Sequence, residues 1–387
     1  MNEVPMTREA HRILVRSVNW LGDAVMTTPA LLRLREAYPK ASITLLTPAK
    51  LAELWRGHPA INEVIPATPE DGLLALARKL RAGRFDLGVV FPNSPRSALE
   101  LWLGGVRRRI GYASRWRRLL LTEAVEPRSG IVMMRKRSVA EIRSLIAAPL
   151  PSPLLPESSH QIHHYLHLVA QVGANPLRLA PSLQVGEAQL VAFRERFLPG
   201  DLNSRGTILL GLNAGAEYGP AKRWPEERFI AAAAQMFQQT KCTWLLFGGP
   251  SDREANERIA AGLKAAHRLS PGSPSRVVNL AGLTGLSELL AGLHLCRVVL
   301  TNDTGPMHVA AAVGTPVVVP VGSTSMELTG PGLPGDARHQ FVRGVAECAP
   351  CFLRICPVDF RCMQNISVDR VVSALHRALA NRPQDLH

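Results

Sequence analysis

Short apolar runs alternate with longer helical patterns along nearly the whole chain, and they do so in two separate series. In the first, Arg12–Ser17, Ile43–Leu46, Glu63–Ile65 and Leu87–Phe91 read as strands, with helices over Ala24–Ala37, Glu70–Arg81 and Ser97–Leu103. In the second, Thr207–Asn213, Thr243–Phe247, Val277–Asn279, Val298–Thr301 and Val317–Pro320 read as strands. Their helices fall near Glu226–Gln239, Ser251–Ala266, Leu286–Leu293 and Thr304–Val313. Parallel neighbours need a crossover between them, usually a helix, so this alternation specifies parallel sheets and an α/β class. The segment Gly173–Val185, with breakers Gly173, Pro176 and Pro181, divides the two series. The expectation is two doubly wound, Rossmann-like domains, 1–180 and 181–387, facing a central cleft, with ligands at the carboxyl ends of the strands. Pro149–Ser158 holds four prolines and reads as a loop. A last helix near Val368–Ala380 is expected to pack back on the first domain.

Chemistry should therefore sit in the segments that follow strands. Val298-Val299-Leu300 runs into Thr301–Val313, a polar turn with Gly305 that opens an Ala-rich helix. Free N–H groups and a positive helix end at a strand tip suit a diphosphate. Thr304 adds a hydroxyl and His308 an imidazole, although Asp303 or Thr304 could simply cap the helix. Gly211–Pro225 is a strand, a glycine-containing loop (Gly215, Ala216), then Lys222 and Arg223 before Trp224-Pro225. Small residues admit a ligand to the backbone, and the two cations suit a leaving diphosphate. The Gly-Lys-Ser/Thr ending of a P-loop is missing. In Phe247–Glu254 another strand meets a glycine turn and a helix, where Asp252 suits ribose hydroxyls or the helix dipole. No Gly-x-Gly-x-x-Gly follows a strand, which argues against a nicotinamide dehydrogenase. In Val15–Ala30, Asp23 is the one carboxylate between Glu9 and Glu36. It reads either as a general base at the end of the first strand or as a helix cap.

The net charge is +14, and it is uneven. Residues 1–180 hold 25 Lys/Arg against 14 Asp/Glu, and residues 181–387 hold 20 against 17. The surplus gathers in Arg107–Arg109, Arg115, Arg117-Arg118 and Arg135–Arg137, with Trp102 and Trp116 nearby. A basic half suggests a polyanionic partner or an anionic membrane face, or else a merely solvated surface. No nucleic-acid motif accompanies it, and aromatics are only 5%. No apolar stretch has the length to span a bilayer, and the polar start Met1–Arg12 shows no signal peptide, so the expected place is the cytoplasm.

Taken together these segments resemble the lipopolysaccharide heptosyltransferases, glycosyltransferase family 9, from Ile13 to Met363. The resemblance rests on Gly22-Asp23 with Thr28-Pro29-Ala30, Phe91–Ser94 with Ser97-Ala98, Gly215–Pro225, and Asn302–His308. Gly215–Pro225 and Cys348–Met363 are similar in particular to the branch that adds the second heptose. The resemblance implies a GT-B fold and an inverting transfer from ADP-L-glycero-β-D-manno-heptose to heptosyl-Kdo2-lipid A, an anionic lipid-linked glycan, with no cofactor required. It implies Asp23 as general base and Lys222 on the phosphate. It places the donor at Gly215, Ala216, Lys222, Arg223, Asp252, Asp303, Thr304, Gly305, Met307 and His308. Asn93, Ser94, Arg109 and Arg115 are candidates for the acceptor, and peripheral contact with the cytoplasmic face of the inner membrane is expected. The alternatives are another nucleotide-sugar transferase with a different acceptor, or a non-catalytic nucleotide-sugar-binding protein.

Four cysteines, Cys348, Cys351, Cys356 and Cys362, follow C-x2-C-x4-C-x5-C. The set is tighter than the usual two separated pairs of a structural zinc site. It reads as reduced thiols in a packed loop, as disulfides formed on oxidation, or as a zinc cluster. Cys242 and Cys296 sit in apolar runs and read as core.

Overall fold

The computed structural model describes residues 10–114, 116–132, 134–149, 155–198, 200–203, 206–267 and 276–381. Two compact units emerge: Met1–Val132 with Ser158–Gln184, and Met133–Glu157 with Val185–His387.

The first unit is built on a six-stranded sheet of β1 (Arg12–Arg16), β2 (Ser42–Pro48), β3 (Glu63–Ala67), β4 (Leu87–Val90), β5 (Arg108–Tyr112) and β6 (Glu123–Val125). The order is β3-β2-β1-β4-β5-β6, and every pair is parallel. Both faces of a parallel sheet are covered, so β1 and β4 are apolar throughout their centres. Ile13, Leu14, Val15, Val89 and Val90 are buried. The helix expected over Ala24–Ala37 is two helices, Leu21–Met26 and Thr28–Ala37. The break has a local cause. Thr27 and Thr28 donate their hydroxyls to the Ala24 and Val25 carbonyls at 2.6 and 2.8 Å, and Pro29 has no N–H to continue the ladder.

The second unit repeats the plan with β7 (Leu209–Asn213), β8 (Thr243–Leu246), β9 (Val277–Asn279), β10 (Val299–Thr301), β11 (Val317–Val321) and β12 (Gln340–Arg343). Its order is β12-β11-β10-β7-β8-β9, again all parallel. Each sheet thus reverses its winding once, between β1 and β4 in the first and between β7 and β10 in the second. Such a reversal opens a crevice at the carboxyl ends of the two strands.

The unit boundary is crossed more than once. Met133–Glu157 belongs with the second unit because Ile142 packs on Cys348 and Cys351, and Arg137 N–H donates to the Cys351 carbonyl at 3.0 Å. The last helix, Val368–Ala380, seats Val371, Val372, Leu375 and Ala378 in the core of the second unit. It lies against the helix Glu226–Thr240 and strands β11 and β12 of its own unit. No helix among the described residues is long and apolar enough to cross a membrane.

Candidate active site

In the second unit the loops after β7 and β10 flank the winding reversal. Asn302, fully buried, ties them together: its Oδ1 accepts from Trp224 N–H at 3.0 Å and its Nδ2 donates to the Ala214 carbonyl at 2.7 Å. Trp224 is itself fixed by donating its indole N–H to the Ile366 carbonyl at 3.1 Å. This places Lys222 just ahead of a rigid anchor. Its Nζ lies 2.8 Å from Asp303 Oδ2, which also accepts from the Thr324 hydroxyl at 2.5 Å. The side chains of Lys222 and Asp303 are 15% and 6% exposed. Asp303 thus holds Lys222 in an ion pair.

Beside them the helix Gly305–Ala312 begins. Thr304 holds the N-cap position in extended backbone, and its side chain makes no capping bond. The first-turn N–H groups and Gly305 therefore form an anion-favouring helix end beside an ammonium group. Met307 and His308 are buried. Asp252 ends the short turn Pro250–Asp252 after β8, just ahead of the helix Arg253–His267, and accepts from Gly249 N–H at 2.9 Å. Its carboxylate crowds Gly215, where a Cβ would come within 2.6 Å of Oδ2. A side chain at position 215 would displace Asp252. Ala216 is buried in the same loop, and its carbonyl is 3.5 Å from the Arg223 guanidinium.

Sequence reasoning missed Thr324 and Tyr218. Thr324 follows β11 as the other site residues follow their strands, so its position after an apolar run was the available signal. The Tyr218 hydroxyl donates to the Phe352 carbonyl at 2.8 Å.

In the first unit Asp23 is the third residue of the helix Leu21–Met26. The N-cap there is Trp20, so Asp23 is not the cap. It is half-buried and close to Tyr165, whose hydroxyl is pushed well above its ordinary value by burial and then by the Asp23 charge. The preceding loop is held by Arg16, another residue the sequence did not reveal. Arg16 Nε lies 2.7 Å from buried Glu100, and its other nitrogens reach the Ser17 carbonyl and Asn19 Oδ1. Asn93 and Ser94 follow β4, on the other side of the winding reversal. Asn93 Oδ1 accepts from Arg117 at 3.3 Å, and Ser94 caps the helix Pro95–Leu103.

The basic stretch is not one patch. Arg108 pairs with Glu123 and Arg118 with Glu126. Arg109 donates to the Leu120 and Val106 carbonyls, with burial lowering its pKa. Arg117 is fully buried, donates to the Tyr112 and Pro92 carbonyls, and is brought down to about 10 by burial. Arg115 lies outside the described residues.

All six cysteines are free. Cys348, Cys351, Cys356 and Cys362 line one cavity of about 10 Å³ together with Ala221 and Ser323. Burial, then the neighbouring thiols, pushes Cys362 up to about 12. Among the described residues no group of three or more His, Cys, Asp or Glu side chains is arranged to hold a metal ion.

Residues 73–360 match the family model for glycosyltransferase family 9 (heptosyltransferase). Lipopolysaccharide heptosyltransferase 2 of Salmonella typhimurium is 31% identical over 331 residues, 83% of this chain and 85% of that protein. The solved structure of E. coli ADP-heptose LPS heptosyltransferase II is 27% identical, covers 95% of this chain and 98% of its own, and gives a TM-score of 0.73. A family 9 glycosyltransferase from Veillonella parvula shares the fold, with a TM-score of 0.75 over 96% of this chain and 97% of its own, at 23% identity.

Proposed function

This chain belongs to glycosyltransferase family 9, and we propose that it moves a heptose from an ADP-heptose to a lipopolysaccharide inner-core acceptor that already carries one heptose. The donor is ADP-L-glycero-β-D-manno-heptose and the acceptor heptosyl-Kdo2-lipid A. The observation that carries this reading is the cradle of the second unit, where Lys222 is aimed by Asp303 and Thr324 beside the open end of the helix Gly305–Ala312. That set of groups suits a diphosphate, and Asp252 beside Gly215 suits the ribose hydroxyls. Kinship with proteins named lipopolysaccharide heptosyltransferase 2 supports the donor sugar and the acceptor.

The reaction is a single displacement with inversion. Asp23 takes the proton of the acceptor hydroxyl as its oxygen bonds to the anomeric carbon, and the bond from that carbon to the ADP oxygen breaks. The sugar passes through an oxocarbenium-like state, as in inverting glycoside hydrolysis. Negative charge grows on the departing diphosphate. Lys222 and the helix N–H groups stabilise it more in the transition state than in the ground state because they are already in place. The lipid-linked acceptor would bring the enzyme to a membrane surface, where exposed Trp102, Trp116 and Leu119 suit the interface.

The deciding experiment supplies ADP-heptose with acceptors carrying zero, one or two heptoses and weighs the products. A gain of one heptose on the one-heptose acceptor alone is expected. Transfer to the heptose-free acceptor, or to none of them, would sink the assignment.

A further inference from the structure

Lys222 lies 2.8 Å from Asp303, so that carboxylate offsets part of the charge Lys222 offers an incoming diphosphate. Arg223 alone does not balance a departing ADP, and another cation stands close by. The segment Cys351–Cys356 lies against the loop after β7. The Arg354 carbonyl accepts from Ala221 N–H at 3.0 Å, and the Phe352 carbonyl accepts from the Tyr218 hydroxyl at 2.8 Å. Gly219 makes this approach feasible, since a Cβ there would meet the Arg354 carbonyl oxygen at 2.5 Å. The Tyr218 ring is thus fixed, and two cations share it. Lys222 Nζ is 5.0 Å and the Arg354 guanidinium carbon 5.2 Å from its centroid. Arg354 is exposed, and among the described residues its guanidinium has no hydrogen-bond or ion-pair partner. A guanidinium resting on an aromatic face keeps its N–H edge free, and that edge matches two phosphate oxygens.

We infer that Arg354 is a further donor-binding residue, pairing with the diphosphate from the same tyrosine ring that steadies Lys222. This rests on the reading of the cradle as the ADP site. It gives the cysteine segment a role: the segment carries a cation to the nucleotide. Tyr218 is a positioning residue, acting through Lys222 and Arg354.

The test is calorimetric titration of the full-length protein with ADP and with adenosine. Arg354→Ala leaves the Ala221 contact intact, because that contact uses the backbone. It should weaken ADP about tenfold or more while adenosine binds as before. Arg354→Lys should recover part of the loss, and raising the salt should narrow the gap between wild type and Arg354→Ala. Tyr218→Phe keeps the ring and should retain most ADP affinity, whereas Tyr218→Ala should lose it. Wild-type ADP affinity in Arg354→Ala overturns the inference. So does an equal loss for adenosine, which would mark a structural role only. Lys222→Ala serves as the control. If wild type binds no ADP, or Lys222→Ala binds it normally, the cradle reading itself fails and this inference falls with it.

Discussion

At the scale of single residues, the roles proposed for Asp23 and Lys222 predict different losses. A general base acts on the reacting proton and not on the nucleotide. Asp23→Asn should therefore cut turnover by about a hundredfold or more, with ADP affinity unchanged. Initial-rate kinetics beside ADP titration separate the two, and near-normal turnover would remove Asp23 from the mechanism. Lys222 is harder to isolate because its loss strands a buried carboxylate. Lys222→Met should lower stability by about 3 kcal/mol, since Asp303 keeps its burial and loses its counter-charge. Adding Asp303→Asn should restore most of that stability without restoring ADP binding. If the double variant binds ADP normally, Lys222 serves the fold and not the donor.

At the scale of elements, the site consists of loops fixed by contacts distant in sequence. Gly219 shows how little slack they have. Its φ of 150° lies in a region that L side chains rarely adopt, and it faces the Arg354 carbonyl. Gly219→Ala should cost about 2 kcal/mol or more and should weaken ADP by parting the two loops. A variant with wild-type melting and wild-type ADP affinity would mean the loops do not depend on this contact. The helix Glu226–Thr240 lies where its apolar period puts it, because Phe229, Ala232, Ala233, Met236 and Phe237 bury one stripe of it. Strands β5, β6 and β12 escaped notice, and β5 shows why. Arg108 and Arg109 read as a surface patch, yet Arg108 pairs with Glu123 on β6, a cross-strand partner that no local pattern reveals. The same limit applies at the site. Lys222, Asp303 and the Thr304 turn were legible because each follows a strand with turn chemistry. That Asp303 aims Lys222, that Arg16 braces the Asp23 loop, and that Cys351–Cys356 lies on Tyr218 depended on pairings more than 70 residues apart.

At the scale of the whole molecule, three histidines whose pKa burial lowers set the response to acid. His58 and His164 lie in the first unit and His339 in the second. Burial holds each near 4, below the ordinary 6.5. His167 and Arg128 reinforce the shift at His164, while Asp336 opposes it at His339 without reversing it. Between these two values the unfolded chain binds protons that the folded chain refuses. Stability is therefore intact above about pH 6.5 and falls as the pH drops towards about 4, each histidine adding a slope of about 1.4 kcal/mol per pH unit. The shifts of Asp336 and Glu327, both held below the usual carboxylate range, begin to matter only at the acid end of this window. Thermal midpoints should consequently fall steeply between pH 6.5 and pH 4.5. Proteolysis should cut the first unit before the second as the pH falls, because two of the three histidines are there. His58→Gln should flatten the pH slope of the first unit even if it lowers the midpoint at pH 7. A midpoint that is level from pH 7 to pH 4.5 would show that these imidazoles are not buried as neutral groups.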